Sequence, residues 1–173
     1  PDTEMGPLSN FKQLEIIEKN IKDTINQGGK IKCGGKRDSF SNKGYYFPPT
    51  IIECVNHNLP VAENELFGPV LSVMKFETEE EVISKMNDNQ YGLSSGVYTS
   101  NLSRGMRVSE AIRAGITFVN TYRLISPSAP FGGIKDSGYG KEAGLDSIKD
   151  YTRVKTTWFY TSDKPTLDPF SIR

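Results

Sequence analysis

Glu65-Leu66-Phe67-Gly68-Pro69-Val70 is the stretch on which the reading of this chain turns. It follows a polar turn containing Asn56, His57, Asn58 and Pro60, and it precedes a strand-like run over residues 71–76. In an extended segment, residues i and i+2 project to the same side, so Glu65 and Phe67 are placed to face one ligand together. A carboxylate accepts two hydrogen bonds from a sugar diol. An aromatic ring beside it packs on a flat heterocycle. Gly68-Pro69 then supplies a close, stiff turn that holds both. On spacing alone a plainer reading competes, a turn with an exposed acid and a core phenylalanine, because short motifs recur by chance.

The 173 residues suit one domain with a real core. The 21 Lys+Arg balance the 21 Asp+Glu, which gives no electrostatic footprint for nucleic acid or an acidic membrane. No apolar run approaches the ~20 residues of a bilayer span. Cys33 and Cys54 are too few for a disulfide framework and suit a reducing, cytoplasmic setting. With a single histidine, His57, they make no zinc pattern.

The remaining segments alternate between two periodicities. Phe11, Leu14, Ile17, Ile21 and Ile25 recur at helical spacing and predict a helix over 9–27, capped by Ser9 or Asn10 and ended by Gly28-Gly29. A short strand is expected over 30–33 and a mobile basic loop over 36–43. A further strand-like run covers 45–55, and Pro48-Pro49 restricts it to an edge or an irregular stretch. Thr78 with Glu81 forms a capping box for a helix ending near residue 89. Strands over 93–98 and 116–120 flank a helix from 102 to about 114, with Asn101 as cap and Gly115 as stop. The order argues an α/β fold with a mostly parallel sheet and flanking helices. A long Gly/Pro/Ser loop covers 121–140, a length uncommon unless functional. A short helix beginning near 141 and a strand over 154–160 complete the chain.

Several ordered blocks together resemble the aldehyde dehydrogenase superfamily. They are Glu65 to Val70 with the Ala62-Glu63-Asn64 lead-in, Tyr91-Gly92-Leu93, Gly115 to Asn120, and Pro130-Phe131-Gly132-Gly133-Ile134-Lys135-Asp136-Ser137-Gly138-Tyr139-Gly140-Lys141-Glu142. The likeness runs from Asp2 to about Tyr160 and matches the C-terminal part of such an enzyme. It implies that residues 1–152 are the C-terminal portion of the catalytic domain. Residues 153–173 would then be an oligomerisation strand and tail, a β-strand arm pairing in a homo-oligomer through 154–160.

The resemblance also implies site residues. Glu65 would bind the nicotinamide-ribose hydroxyls of NAD or NADP, Phe67 would pack beside that ribose, and Leu93 would line the nicotinamide pocket. Gln13 falls where some members contact the adenosine side, and a solvated helix residue is the competing reading. Arg123, Ile125 and Phe131 would wall the tunnel for a small-molecule aldehyde. Arg123 departs from the family pattern and suits either a substrate carboxylate or sulfonate, or bonds to loop carbonyls. The family reaction oxidises an aldehyde to a carboxylic acid through a cysteine thioester. Neither Cys33 nor Cys54 has the context of that nucleophile, and both read as small packing residues. No catalytic residue is therefore assigned.

Gly138-x-Gly140-x-x-Ala143 fits a dinucleotide fingerprint but lacks the strand that must precede it, so it reads as a glycine-rich turn. The alternative from a different class is a non-catalytic assembly module. A CoA-acylating enzyme ranks last, because such members usually depart from the Pro130 to Glu142 block.

Overall fold

The computed structural model describes residues 4–37, 44–165, 168 and 170. The loop expected over 36–43 therefore lies mostly outside the described residues. Helix α1 spans Phe11–Asn26, and its start is fixed by Asn10, whose side chain accepts the Gln13 amide at 2.9 Å. Leu14, Ile17, Ile21 and Thr24 are its buried positions. That differs from the expected face at both ends, since Phe11 and Ile25 are exposed. Thr24 is buried in place of Ile25 because its hydroxyl accepts the Val61 amide at 3.1 Å. A buried hydroxyl is tolerated when it is bonded.

Strands β1 (Lys30–Cys33), β2 (Thr50–Glu53) and β3 (Val70–Val73) form one sheet in that order, with β1–β2 antiparallel and β2–β3 parallel. Of the edge or irregular stretch expected from the proline pair, the second holds: residues 46–49 are irregular, and β2, which begins at Thr50, is the central strand. Both prolines lie just before the ladder, whose first bond is donated by Thr50 to the Pro69 carbonyl at 2.8 Å. No missing N–H therefore falls inside the sheet. Alternation along β2 buries Thr50 and Ile52. Ile52 joins Leu8, Leu14, Ile17, Ile21, Phe47, Leu59 and Leu66 in one core. A short helix, α2 (Pro60–Glu63), carries Val61 into the same core.

A second, separate sheet pairs β4 (Ser94–Val97) with β5 (Ile116–Val119) in parallel. The single, mostly parallel sheet expected from the sequence is thus two small sheets, though both crossover pairings are parallel. Helices α3 (Glu79–Asn87) and α4 (Leu102–Ala111) accompany the second sheet. Thr78 caps α3 by accepting the Glu81 amide at 3.1 Å. Glu81 reaches back one residue further than the usual box, to the Glu77 amide at 2.7 Å. That bond, with Lys85 beside it, holds the Glu81 carboxyl below its ordinary range. Glu79 forks onto Arg107 at 2.6 and 2.8 Å and ties α3 to α4.

Helix α4 ends at Ala111, short of the expected stop near Gly115. The cause is Asn87, whose amide donates to the Ala111 carbonyl at 2.9 Å and accepts the Arg113 amide at 2.7 Å. A side chain from α3 thus takes up the carbonyl that another helical turn would have used.

The long loop after β5 is pinned rather than loose over its second half. Lys135 has φ +54 and donates to the carbonyls of Asn87 (3.0 Å) and Asn89 (2.8 Å). Lys141 donates to Gly132 (2.9 Å) and Gly133 (2.8 Å). A Cβ on Gly115 would overlap the Gly132 carbonyl, so loop and strand approach backbone to backbone. The expected helix from 141 begins only at α5, Ile148–Tyr151, after a 3-10 turn over Leu145–Ser147. Ala143 and Gly144, at φ +59 and +65, break it before that. No strand forms within the chain over 154–160. Those residues are exposed, Val154 at 100% and Trp158 at 91%. The segment does not fold back onto either sheet.

Lys135→Met removes a charged donor from two carbonyls while keeping the aliphatic stem. It is expected to lower the unfolding free energy by about 1.5–3 kcal/mol. Urea denaturation and limited proteolysis over 121–140 measure the effect. An unchanged midpoint and cleavage pattern would show that solvent replaces the ammonium at no cost.

Candidate functional site

The segment 61–68 lies along one stripe of α1. Thr24 holds the Val61 amide, Asn20 accepts from the Asn64 side chain at 3.1 Å, and Gln13 donates its amide to the Leu66 carbonyl. Ile17 fills the place that a Cβ on Gly68 would need. Gly68 is therefore required for close approach, and the motif's glycine is explained by α1 rather than by a ligand. Leu66 is buried, at 6% exposure, while Glu65 and Phe67 on either side are exposed, Phe67 at 81%. Phe67 is not extended, as the spacing argument assumed, but left-handed at φ +48. A non-glycine residue held in that region marks a site over-determined by its surroundings. Among the described residues the Glu65 carboxylate has no hydrogen-bond or ion-pair partner.

Glu65 and Leu93 line one open cleft of about 1130 Å³, whose walls also include Asn64, Met74, Tyr91 and Arg113. Phe67 lies outside its walls. Leu93 is half exposed, at 42%, and sits immediately before β4. Its backbone is fixed from three directions. The Gly92 carbonyl accepts the amides of Gly115 (2.9 Å) and Ile134 (3.0 Å), and the Gly92 amide donates to the Ser137 hydroxyl at 3.0 Å. The Pro130 to Glu142 block thus acts on the cleft by holding Leu93 in place.

Leu93 also lines a smaller cleft of about 340 Å³ with Phe131. Phe131 and Glu142 exchange both backbone hydrogen bonds, at 2.6 and 2.7 Å, which closes the loop into a ring. Arg123 and Ile125 are both exposed and line neither cleft. The root of their loop is nonetheless firm. Asn120 bonds both backbone groups of Thr99, at 2.8 and 2.9 Å, and Tyr122 meets Phe118 edge-on at 5.4 Å. Arg123 has φ +61, and among the described residues its guanidinium makes no hydrogen bond or ion pair. The bonds to loop carbonyls open to it on sequence grounds are not formed. The structure thus brings Gln13 of α1 against the segment that carries Glu65 and Phe67, places Leu93 with Phe131 on one small cleft, and leaves Arg123 and Ile125 apart.

Cys54 packs in the core, and burial pushes its thiol up, away from the nucleophilic thiolate. Cys33 departs from the packing reading, for it is exposed on β1. Gly138 to Ala143 is preceded by a 3-10 turn over Lys135–Ser137 and not by a strand, so the fingerprint reading fails on geometry. Among the described residues, no three His, Cys, Asp or Glu side chains gather to hold a metal. The roles of Asn20, Thr24, Asn87, Lys135 and Ser137 escaped the sequence reading. All five act through partners 24 to 48 residues away, which local pattern does not encode; of those partners only Asn64 and Gly92 lie in the blocks quoted above.

The aldehyde dehydrogenase family profile matches residues 1–157. A relative from Acinetobacter baylyi, (Z)-2-((N-methylformamido)methylene)-5-hydroxybutyrolactone dehydrogenase, is 49% identical over 172 residues, 99% of this chain and 35% of that enzyme. Among solved structures, an indole-3-acetaldehyde dehydrogenase in complex with NAD+ superposes with a TM-score of 0.86 at 40% identity, covering 92% of this chain and 32% of that one. The Mycobacterium tuberculosis aldehyde dehydrogenase complexed with NAD+ gives 0.83 at 36% identity, covering 88% and 32%. The chain spans about a third of the length of the relatives it matches. With its motifs, its two small sheets and its pinned loop, the chain belongs to the aldehyde dehydrogenase family.

Proposed function

We propose that this chain supplies the C-terminal portion of the catalytic domain, residues 1–152, and an association arm, 153–173, of an NAD(P)-dependent aldehyde dehydrogenase. In that enzyme it furnishes nicotinamide-ribose contacts, part of the substrate tunnel and a subunit interface. The observation that carries the reading is the unpartnered Glu65 carboxylate, held out beside a buried Leu66 and facing the cleft that Leu93 lines. A carboxylate with free lone pairs suits a vicinal diol, and an exposed Phe67 two residues on suits the flat side of the same ligand. When bound, the nicotinamide ring accepts hydride from the substrate carbon. The chain's own part is to bind and orient: Glu65 holds the ribose, Leu93 excludes water from one wall, and Phe131 lines the tunnel.

The aldehyde carbon needs a thiolate, and Cys54 is unsuited to supply one because its thiol is buried in the core with a raised pKa. Among the described residues no cationic side chain is bonded to the Cys33 sulfur, whose Sγ lies 3.8 Å from the Pro49 carbonyl. The nucleophile is assigned to a part of the enzyme outside these residues. Arg123, free of loop bonds, pairs in this reading with an anionic group on the substrate. A small aldehyde is the substrate class and NAD or NADP the cofactor. The assembly is a homo-oligomer in a cytoplasmic setting.

Glu65→Gln in an enzyme of the relatives' full length that carries this chain should slow single-turnover hydride transfer. Losing a charged acceptor for two hydroxyls costs about 1–3 kcal/mol. Overall cofactor affinity should fall less than the transfer rate. Hydride transfer at the parent rate would overturn the ribose assignment.

The 173-residue chain alone is expected to reduce neither NAD nor NADP with any aldehyde. NADH production that survives repurification and disappears in Cys33→Ala or Cys54→Ala would show that one of these cysteines is the nucleophile after all.

A second reading, a non-catalytic assembly module, draws on residues 154–160. Trp158 and Phe159 are 91% and 85% exposed and have no sheet partner among the described residues. An unpaired segment of strong strand propensity is a template for pairing with another chain. Both readings expect association here, and only the first expects a role for Glu65. Truncation after Thr152 should give smaller particles by light scattering while far-UV ellipticity from α1, α3 and α4 persists. An unchanged particle size would place the interface elsewhere.

A further inference from the structure

We infer that Ser137 is a positioning residue for Leu93, acting through Gly92. The inference rests on the proposed role of Leu93 as a wall of the nicotinamide site. Among the described residues, Leu93 and Ser137 are the two that line both clefts, the one shared with Glu65 and the one shared with Phe131. Leu93 supplies the apolar surface where the clefts meet. Ser137 supplies a hydroxyl, bonded to the residue just before that leucine.

Gly92 is buried and has no side chain, so bonds to its two flanking peptides fix its torsions. The Gly92–Leu93 peptide is held at its carbonyl by the amides of Gly115 at 2.9 Å and Ile134 at 3.0 Å. The Tyr91–Gly92 peptide has one hydrogen-bond partner among the described residues. It is the Ser137 hydroxyl, which accepts the Gly92 amide at 3.0 Å. Ile134 and Ser137 thus grip the glycine on its two sides. They belong to one turn, for the Ser137 amide donates to the Ile134 carbonyl at 3.2 Å. The Asp136 amide ties that turn to the Gln90 carbonyl at 3.0 Å. The seat is close: a Cβ on Gly92 would come within 2.8 Å of the Ile134 side chain, and one on Gly133 within 2.6 Å of the Ser137 Cβ. Leu93 is 42% exposed, so burial does not fix its side chain, and its direction follows from this glycine. Without the hydroxyl, the buried Gly92 N–H needs a water as partner. The vacated place opens on both clefts, so that water would stand at the wall from which Leu93 excludes solvent.

Ser137→Ala removes the acceptor and little volume. Ser137→Cys keeps the volume but offers only a weak sulfur acceptor, and it carries the same comparison where thermal melting shows the alanine variant to have lost its fold. In the 173-residue chain, amide hydrogen exchange is followed residue by residue. Exchange at Gly92 should speed up, and so should exchange at Gly115 and Ile134, whose amides hold the carbonyl next to Leu93. Asn120, whose amide donates to Val97 beyond the other end of the β4–β5 ladder, should exchange as in the parent. In an active enzyme of the relatives' full length that carries this chain, Ser137→Ala should slow single-turnover hydride transfer about fivefold, the scale of one hydrogen bond, with little change in the KM for NAD. In a Leu93→Ala background the same substitution should change the rate less than about twofold, since coupled sites are non-additive.

Faster exchange at Gly92 alone, with Gly115 and Ile134 as in the parent, would show that the effect stops at the glycine and would overturn the inference. An equal loss of rate with and without Leu93→Ala would overturn it as well, because Ser137 would then act by another route. Parent hydride transfer in Leu93→Ala alone would remove the nicotinamide-wall reading instead. The exchange pattern at Gly115 and Ile134 still decides, in that case, whether Ser137 sets the Leu93 peptide.

Discussion

The placement of the segment that carries Glu65 and Phe67 depends on the pitch of one helix. Gln13, Ile17, Asn20 and Thr24 follow one another by four, three and four residues, the spacing of a single helical stripe. Each meets a different residue between 61 and 68: Leu66, Gly68, Asn64 and Val61. Three of these contacts are polar and one is steric. A slip of the segment by one residue would break all of them together, so its register is strongly specified even though it contains no strand and only a four-residue helix. Asn10 contributes at a distance by fixing where α1 begins, and hence where Gln13 stands.

The other wall of the cleft is fixed by backbone carbonyls, and lysines gather them. Lys135 and Lys141 each bridge two carbonyls. An ammonium with three rotatable donors suits that task, because the carbonyls need not be coplanar as they would for a guanidinium fork. Lys135 takes its pair from the end of α3, where the last carbonyls of the helix have no intrahelical donor. A cation at a helix C-terminus also meets the negative end of the helix dipole. The same helix end supplies Asn87, which terminates α4. One helix terminus therefore sets the length of a second helix and the seat of the loop that positions Leu93.

The sequence made the local elements legible and the distant contacts illegible. The Thr78 cap, the Asn101 cap, the Asn10 alternative, β1 and the stripe of Leu14, Ile17 and Ile21 follow from short-range chemistry and stand as read. The failures share one cause. Pro48-Pro49 keep residues 46–49 irregular but leave β2 central, because the ladder begins only where Thr50 donates to the Pro69 carbonyl. Thr24 looked polar and Ile25 apolar, and the bond to Val61 reversed their burial. The α4 stop was assigned to Gly115 on propensity, while Asn87 ended the helix earlier. The pairing of Glu65 with Phe67 on one side assumes an extended segment, and Phe67 is left-handed at φ +48, between the α1 contacts to Leu66 and Gly68. The family resemblance names candidate residues in the sequence, and their geometry comes only from the contacts between segments.

Those contacts also divide the labour within the site. Glu65 and Leu93 offer the cleft a hydrogen-bond acceptor and an apolar surface, and Phe67 presents a ring beside it. None of the three is a nucleophile. Groups of this kind orient a ligand and shield it from water, but they do not form or break its bonds. The sulfur that packs in the core, Cys54, is held as a thiol by its burial. In the reading proposed above, binding and bond-making fall to different stretches of polypeptide. The left-handed Phe67, the helix stripe beneath it and the lysine-clamped loop opposite all act against motion. That stiffness is worth its cost in strain only where a ligand must be met by atoms already in place, since preorganised acceptors need no reorganisation as charge or geometry changes.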